Sequence, residues 1–204
     1  MTLLLIRHGE TALNVARVMQ PADTPLNTRG MAQADALARR LSSTEVRAVI
    51  SSDLPRALRT ARAIGALTGA PLETTPLLQE RNFGDWRGRP YDSLAIDPMT
   101  MHDAPPNGES AAAFAARVAG AFAHVLQRQA ALGGMVAVVT HGLVIRALLA
   151  THVRLGDDMV APTHLGNTGL SCIDTLPPYR VRLLDCTAHL DKVAPDDPHA
   201  LAGG

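Results

Sequence analysis

The sequence predicts an α/β fold, a three-layer α/β/α sandwich built around a mainly parallel sheet. Three observations carry this expectation. Short apolar runs alternate with helical segments along the chain. Those runs are apolar throughout, not at every second position, so both of their faces need cover. The 204 residues contain no internal repeat and no dividing linker, which fits one domain with a sizeable core.

Each element has a local reason. Thr2–Ile6 is a short apolar run that ends in a polar turn, which suits a buried strand. Thr28–Leu41 reads as a helix with apolar and Ala positions on one side and Arg39 and Arg40 in the last turn, where cations complement the dipole. Val46–Ile50 is β-branched and short, hence a strand. Asp53 is the expected N-cap of a helix with Pro55 in its first turn, running to about Leu67 and stopped by Gly69-Ala70-Pro71. Leu72–Thr75 follows as a short extended piece. Residues 84–109 contain Gly, Pro and Asp throughout and show no period, so a long functional or mobile loop is expected. Ser110 caps an Ala-rich helix to about Leu132, closed by Gly133-Gly134. Met135–Thr140 is a further buried strand and Val144–Val153 a helix. Leu170–Thr175 and Tyr179–Asp185 form a last strand pair, turned by Pro177-Pro178. The single domain is expected to span residues 1–194, with a frayed tail over 195–204.

Composition excludes several classes. The formal net charge is zero, whereas nucleic-acid and membrane-surface proteins usually carry excess basic charge. No apolar run approaches the roughly 20 residues of a membrane span, and Leu3–Ile6 is too short for a signal-peptide core. Cys172 and Cys186 make no disulfide framework, so reduced thiols and a cytoplasmic location are expected. Lys192 is the only lysine beside 18 arginines, so nearly every fixed side-chain cation is a guanidinium.

Polar clusters follow the predicted strands. They are Arg7-His8-Gly9-Glu10-Thr11 with Asn14, Ser51-Ser52-Asp53-Leu54-Pro55-Arg56-Ala57 with Thr60, Glu80 ahead of Phe83-Gly84-Asp85-Trp86, and Thr140-His141-Gly142. In open α/β sheets the site lies at the carboxyl ends of the central strands, where His8 and His141 both fall. Taken alone, a strand-end arginine is usually a surface residue and Glu80 an ordinary loop carboxylate. His124 and His152 fit packed or solvated positions on helices, and Phe83 and Trp86 fit packing for the Glu80 loop. No Cys/His cluster, His-Glu-x-x-His spacing, P-loop or dinucleotide fingerprint is present, so no metal and no cofactor are expected.

In this order and spacing, the motifs resemble the histidine phosphatase superfamily, also called phosphoglycerate-mutase-like. The resemblance runs from Leu3 to about Ser171. It takes in Pro25-Leu26-Asn27-Thr28-Arg29-Gly30 with Gln33-Ala34, Gly108-Glu109-Ser110 and Asn167-Thr168-Gly169 as well. Arg87 departs from it, since many members carry an acidic residue between Trp and Gly. An altered pocket rim is expected there.

The resemblance implies a role for each site residue, and physical chemistry supports each role. Arg7 and Arg56 clamp a phosphomonoester dianion, for which the guanidinium fork is suited. His8 is the expected nucleophile, which attacks phosphorus through a neutral ring nitrogen. His141 matches the family's second histidine and contacts the transferring oxygens. Gly142 lets backbone approach there at a helix N-terminus, and Asn14 donates an amide hydrogen bond. Glu80 is the expected proton donor to the leaving oxygen and then base for water.

The reaction expected is hydrolysis of small phosphorylated metabolites. A mutase needs extra cations at the pocket mouth, and residues 90–110 contain neither lysine nor arginine. Phosphoglycerate mutase activity and a non-catalytic phosphate-binding module are the competing readings. An α-ribazole phosphatase is one narrower candidate. The expected partner is a small phosphate ester, not nucleic acid or membrane, and a homodimer stays open.

Overall fold

A computed structural model describes residues 1–94, 96–98 and 100–191. The tail expected over 195–204 lies outside the described residues. Six strands form one sheet: β1 (Thr2–Arg7), β2 (Val46–Ser51), β3 (Leu72–Thr74), β4 (Met135–Thr140), β5 (Leu170–Asp174) and β6 (Val181–Cys186). Their order is β3-β2-β4-β1-β5-β6. The first four run parallel, and β5 and β6 are antiparallel. Five helices accompany them: α1 (Ala12–Val15), α2 (Thr28–Leu41), α3 (Pro55–Thr68), α4 (Ala111–Leu132) and α5 (Gly142–Thr151).

The uninterrupted apolar strands have the consequence expected of them. Leu3 and Leu5 of β1 join one buried cluster with residues of α4 and α5. Leu4 and Ile6 point the other way and join a second cluster with residues of α2 and α3. The alternation of strand side chains thus feeds two cores, one per sheet face. No helix among the described residues is long and apolar enough to cross a membrane.

Three local expectations are corrected. The α3 N-cap is Leu54, not Asp53. Pro55 forces its predecessor into extended backbone, so position 54 is where the helix begins, and Asp53 instead accepts a hydrogen bond from Gln79 Nε2 at 2.8 Å. Helix α5 starts at Gly142, two residues earlier than its apolar period indicates. The one-turn helix α1 was not expected. It is made by a capping box in which Thr11 and Asn14 exchange side-chain and backbone bonds.

The segment 84–109 has no long helix or strand, but it is built. It contains 3₁₀ turns at Gly84–Trp86 and Tyr91–Ser93. Phe83, Tyr91 and Met19 form a small buried cluster with Trp86 against it. Arg81 gathers the carbonyls of Met101 (3.0 Å), Glu109 (3.1 Å) and Asp103 (3.3 Å). The described part of this loop therefore packs onto the segment that carries Glu80.

Candidate active site

Sheet order brings the polar strand ends together. Strands β2, β4 and β1 are successive parallel neighbours, with Arg7 opposite Thr140 and Ser51 opposite Val139. The next residue on each strand is Ser52, His141 and His8. The histidine rings consequently lie 5.1 Å apart, tilted by 58°. Both are fully buried, as is Arg7.

His8 is held in one tautomer. Its Nδ1 lies 2.7 Å from the Gly9 carbonyl. A carbonyl only accepts, so Nδ1 carries the proton and Nε2 keeps its lone pair. Burial first, then the charges of Arg56 and Arg7, holds His8 well below the ordinary histidine range, which makes the ring neutral. The His8 backbone is pinned as well. Its N–H donates to Thr140 at 3.0 Å, and its carbonyl accepts from Asn167 Nδ2 at 3.1 Å.

His141 is its counterpart. Ser52 Oγ accepts the Leu54 N–H at 3.2 Å and is hydrogen-bonded to His141 Nε2 at 2.8 Å, which orients the ring and leaves Nδ1 as its second polar atom. Burial and the charge of Arg56 keep this ring neutral too. Asn14 is similarly oriented: its Oδ1 accepts the Thr11 N–H at 3.1 Å, so Nδ2 is left to donate elsewhere.

Arg7 Nη1 donates to the Leu165 carbonyl. Arg56, in the first turn of α3, reaches the Pro21 carbonyl at 3.4 Å. Burial lowers Arg56 to about 10, with Glu80 opposing that shift and Arg87 and Arg7 adding to it. The guanidinium remains charged at neutral pH.

Glu80 is buried, and one of its oxygens accepts the Arg81 N–H at 3.0 Å. The other accepts the Leu143 N–H at 3.1 Å. Burial nonetheless pushes the carboxyl above its usual range, against these two bonds and the charges of Arg56 and Arg7. Gly142 opens α5 beside it, so the first turn of that helix serves Glu80 as well as the space beside His141. Arg117 fixes the Glu80 segment by donating to the carbonyls of Leu77 (2.9 Å) and Gln79 (2.7 Å) and to the Glu109 carboxylate.

Among the described residues, His8 Nε2, Asn14 Nδ2, Arg56 Nε and His141 Nδ1 are buried without a hydrogen-bond partner. Buried polar atoms are nearly always satisfied. The His8 lone pair and the donors of Asn14 and Arg56, with Arg7 and the His141 ring, match an oxyanion with an electrophilic centre beside His8. All seven sequence-derived residues, Arg7, His8, Asn14, Arg56, Glu80, His141 and Gly142, fall in this one region.

Sequence reasoning named no role for three contributors. Ser52 Oγ is hydrogen-bonded to His141 Nε2 at 2.8 Å, and Thr60 Oγ1 accepts the Gly9 N–H at 3.1 Å. Tyr91 is buried in the field of Glu80, Arg7 and Arg56, and burial raises its phenol. The signal for the first two was their fixed place in the Ser51–Thr60 motif. The Pro25–Gly30 motif also has a structural role. Asn27 Nδ2 and Arg29 both bind the Glu10 carboxylate. Gly30 approaches so closely that a Cβ there would lie 2.0 Å from the Glu10 carbonyl.

A fold and site of this kind define a phosphoryl-handling α/β protein. Residues 3–183 match the Histidine phosphatase superfamily (branch 1), and the chain belongs to that family. It is 32% identical to the Yersinia pestis (strain Pestoides F) protein named "Probable phosphoglycerate mutase GpmB", over 95% of this chain and 96% of the relative. Among solved structures it is similar to the α-ribazole phosphatase of Shigella flexneri. The TM-score is 0.77 at 29% identity, covering 97% of this chain and all of that one. A mycobacterial glucosyl-3-phosphoglycerate phosphatase gives a TM-score of 0.74 at 28% identity, covering 91% and 98%.

Proposed function

We propose that the protein is a phosphomonoesterase that hydrolyses small phosphorylated metabolites through a phosphohistidine on His8. The observation that carries this reading is the set of unpartnered buried atoms, a lone pair on His8 Nε2 with atoms of Asn14, Arg56 and the His141 ring, whose centroid lies 5.1 Å from that of His8. Arg7 and Arg56 hold the phosphoryl oxygens. His8 Nε2 attacks phosphorus in line, and the Gly9 carbonyl supports the Nδ1 proton as positive charge develops on the ring. His141 Nδ1–H and Asn14 Nδ2 donate to the equatorial oxygens, which gain charge in the transfer state. Glu80, whose pKa burial raises, is the group that gives a proton to the leaving alkoxide. It then takes a proton from the water that hydrolyses the phosphohistidine.

Guanidinium charge stands where a metal ion would otherwise act, so the reaction is proposed to be metal-independent. The mutase reading keeps support from the curated relative named above. Hydrolysis is favoured by the solved phosphatases and by the lack of lysine and arginine over 90–110. The deciding experiment measures inorganic phosphate release from p-nitrophenyl phosphate in excess EDTA, beside a coupled phosphoglycerate mutase assay. Phosphate release without mutase turnover is expected. Mutase turnover exceeding hydrolysis would reverse the assignment, and loss of activity in EDTA restored by one metal would end the metal-free mechanism. Vanadate is expected to inhibit, since it adopts the five-coordinate geometry of the transfer state. A mycobacterial glucosyl-3-phosphoglycerate phosphatase, 30% identical, has been solved in complex with VO3.

A further inference from the structure

Arg87 follows the Gly84–Trp86 turn, and its surroundings are unusual. It is half-buried. Burial lowers its guanidinium from the ordinary arginine range with no carboxylate opposing the shift. Among the described residues its side chain makes no hydrogen bond and no ion pair. Three other arginines withdrawn from solvent differ. Arg81 binds four backbone carbonyls, those of Pro98, Met101, Asp103 and Glu109. Arg117 binds Glu109, and Arg146 binds the carbonyls of Pro162 and Thr163. A half-buried cation without a counter-charge is costly, and an anion brought to it recovers that cost.

The backbone places Arg87 at the lip of the phosphate pocket. Arg87 N–H closes the Gly84–Trp86 turn on the Gly84 carbonyl at 3.2 Å. Gly88 N–H then donates to Met19 at 2.7 Å, and Met19 N–H donates to Arg89 at 2.9 Å. Val18 and Pro90 form an isolated antiparallel bridge beside them. This clamp ties Arg87 to the strand-like segment that leads to Pro21, whose carbonyl receives Arg56. The charge of Arg87 reaches Arg56 more strongly than that of Arg7 does.

A charge count then bears on the substrate. Three guanidinium groups act on one another here, those of Arg7, Arg56 and Arg87. A phosphomonoester dianion matches the first two and leaves the third. We propose that Arg87 is a specificity determinant that receives a second anionic group of the substrate, a carboxylate or a further phosphate borne on the leaving alcohol. This inference rests on the phosphatase reading of the same pocket.

The test uses three-carbon esters that differ only at the far end: propyl phosphate, 3-phosphonooxypropionate and 1,3-propanediol bisphosphate. The readout is the ratio of kcat/KM for each ester with an anionic tail to that for propyl phosphate, which cancels any loss common to all three. A charge-assisted contact at a half-exposed site should give the wild-type protein roughly a tenfold ratio for the carboxylate ester, the bisphosphate or both. Arg87→Ala should bring that ratio near one, Arg87→Lys should restore part of it, and Arg87→Glu should invert it. A preference for the carboxylate alone or the bisphosphate alone identifies the tail. Equal kcat/KM values in the wild-type protein, or a ratio unmoved by Arg87→Ala, would overturn the inference. Calorimetric binding of the same esters reads the preference without turnover. Selective binding lost in Arg87→Ala, with no hydrolysis of any ester, would refute the phosphatase reading and leave Arg87 as the anion receptor.

Discussion

Replacing Glu80 by Gln tests both its chemistry and its burial. The side chain accepts two backbone N–H bonds, from Arg81 and Leu143. Glutamine offers one oxygen, so one of these donors faces an NH₂ group. An unsatisfied buried donor costs about 1–3 kcal/mol, which for a chain of this size lowers Tm by roughly 2–10 °C. Ionisation works in the opposite sense. The folded-state pKa of Glu80 is raised above its unfolded value near 4.5. The wild-type protein therefore loses stability as pH rises from that value through the raised pKa, and the Gln variant does not. The Tm deficit of Glu80→Gln should be largest below pH 4.5 and shrink at higher pH. Kinetically, loss of the general acid should slow propyl phosphate hydrolysis by about 10²–10⁴-fold. It should slow p-nitrophenyl phosphate much less, because nitrophenolate leaves nearly unaided. The alkaline limb of the propyl phosphate profile should also disappear. Equal losses on both esters would refute the acid role, and a Tm deficit that grew with pH would refute burial as the dominant influence on Glu80.

Three further outcomes follow from the geometry. Asn14→Asp keeps the acceptor for Thr11 but turns the free donor into an anionic oxygen, so kcat/KM should fall roughly 10–100-fold with little change in Tm. Unchanged kinetics would remove Asn14 from the phosphate site. Gly30→Ala places a methyl 2.0 Å from the Glu10 carbonyl. Overpacking of that kind costs about 1–3 kcal/mol, and an unshifted thermal melt would show that the contact is not rigid. His8 and His141 have folded-state pKa values well below 6.5, so their contribution is complete above 6.5 and is lost as pH falls below it. His141→Gln should flatten the acid limb of the Tm–pH curve, and an unaltered limb would contradict the burial of a neutral ring.

Much of the fold was legible because uninterrupted apolar runs in Leu3–Ile6, Val46–Ile50 and Met135–Thr140 leave few alternatives to a two-side-covered sheet. The site was legible because polar motifs sit at the ends of those runs. Sheet order was not. Only the pairing of β1 with β4 places His8 beside His141, and no local pattern encodes which parallel strands become neighbours. The Asp53 cap failed because the constraint from Pro55 on Leu54 outweighed side-chain preference. The 84–109 segment looked shapeless because its order comes from scattered contacts, such as Arg81 on distant carbonyls and Phe83 against Met19, which have no period. Arg87 was read as a change at the rim, and its lack of a counter-charge could be seen only once its neighbours were in place.

The central claim is that His8 Nε2 takes the phosphoryl group. The most direct measurement is a rapid quench of the protein with ³²P-labelled substrate under alkaline conditions, followed by peptide mapping. The account predicts a phosphoenzyme that is stable in alkali and labile in acid, with label on the peptide containing His8 and none in His8→Ala, which should also lose turnover. Label on any other residue, or a His8→Ala protein with near wild-type turnover, would contradict it.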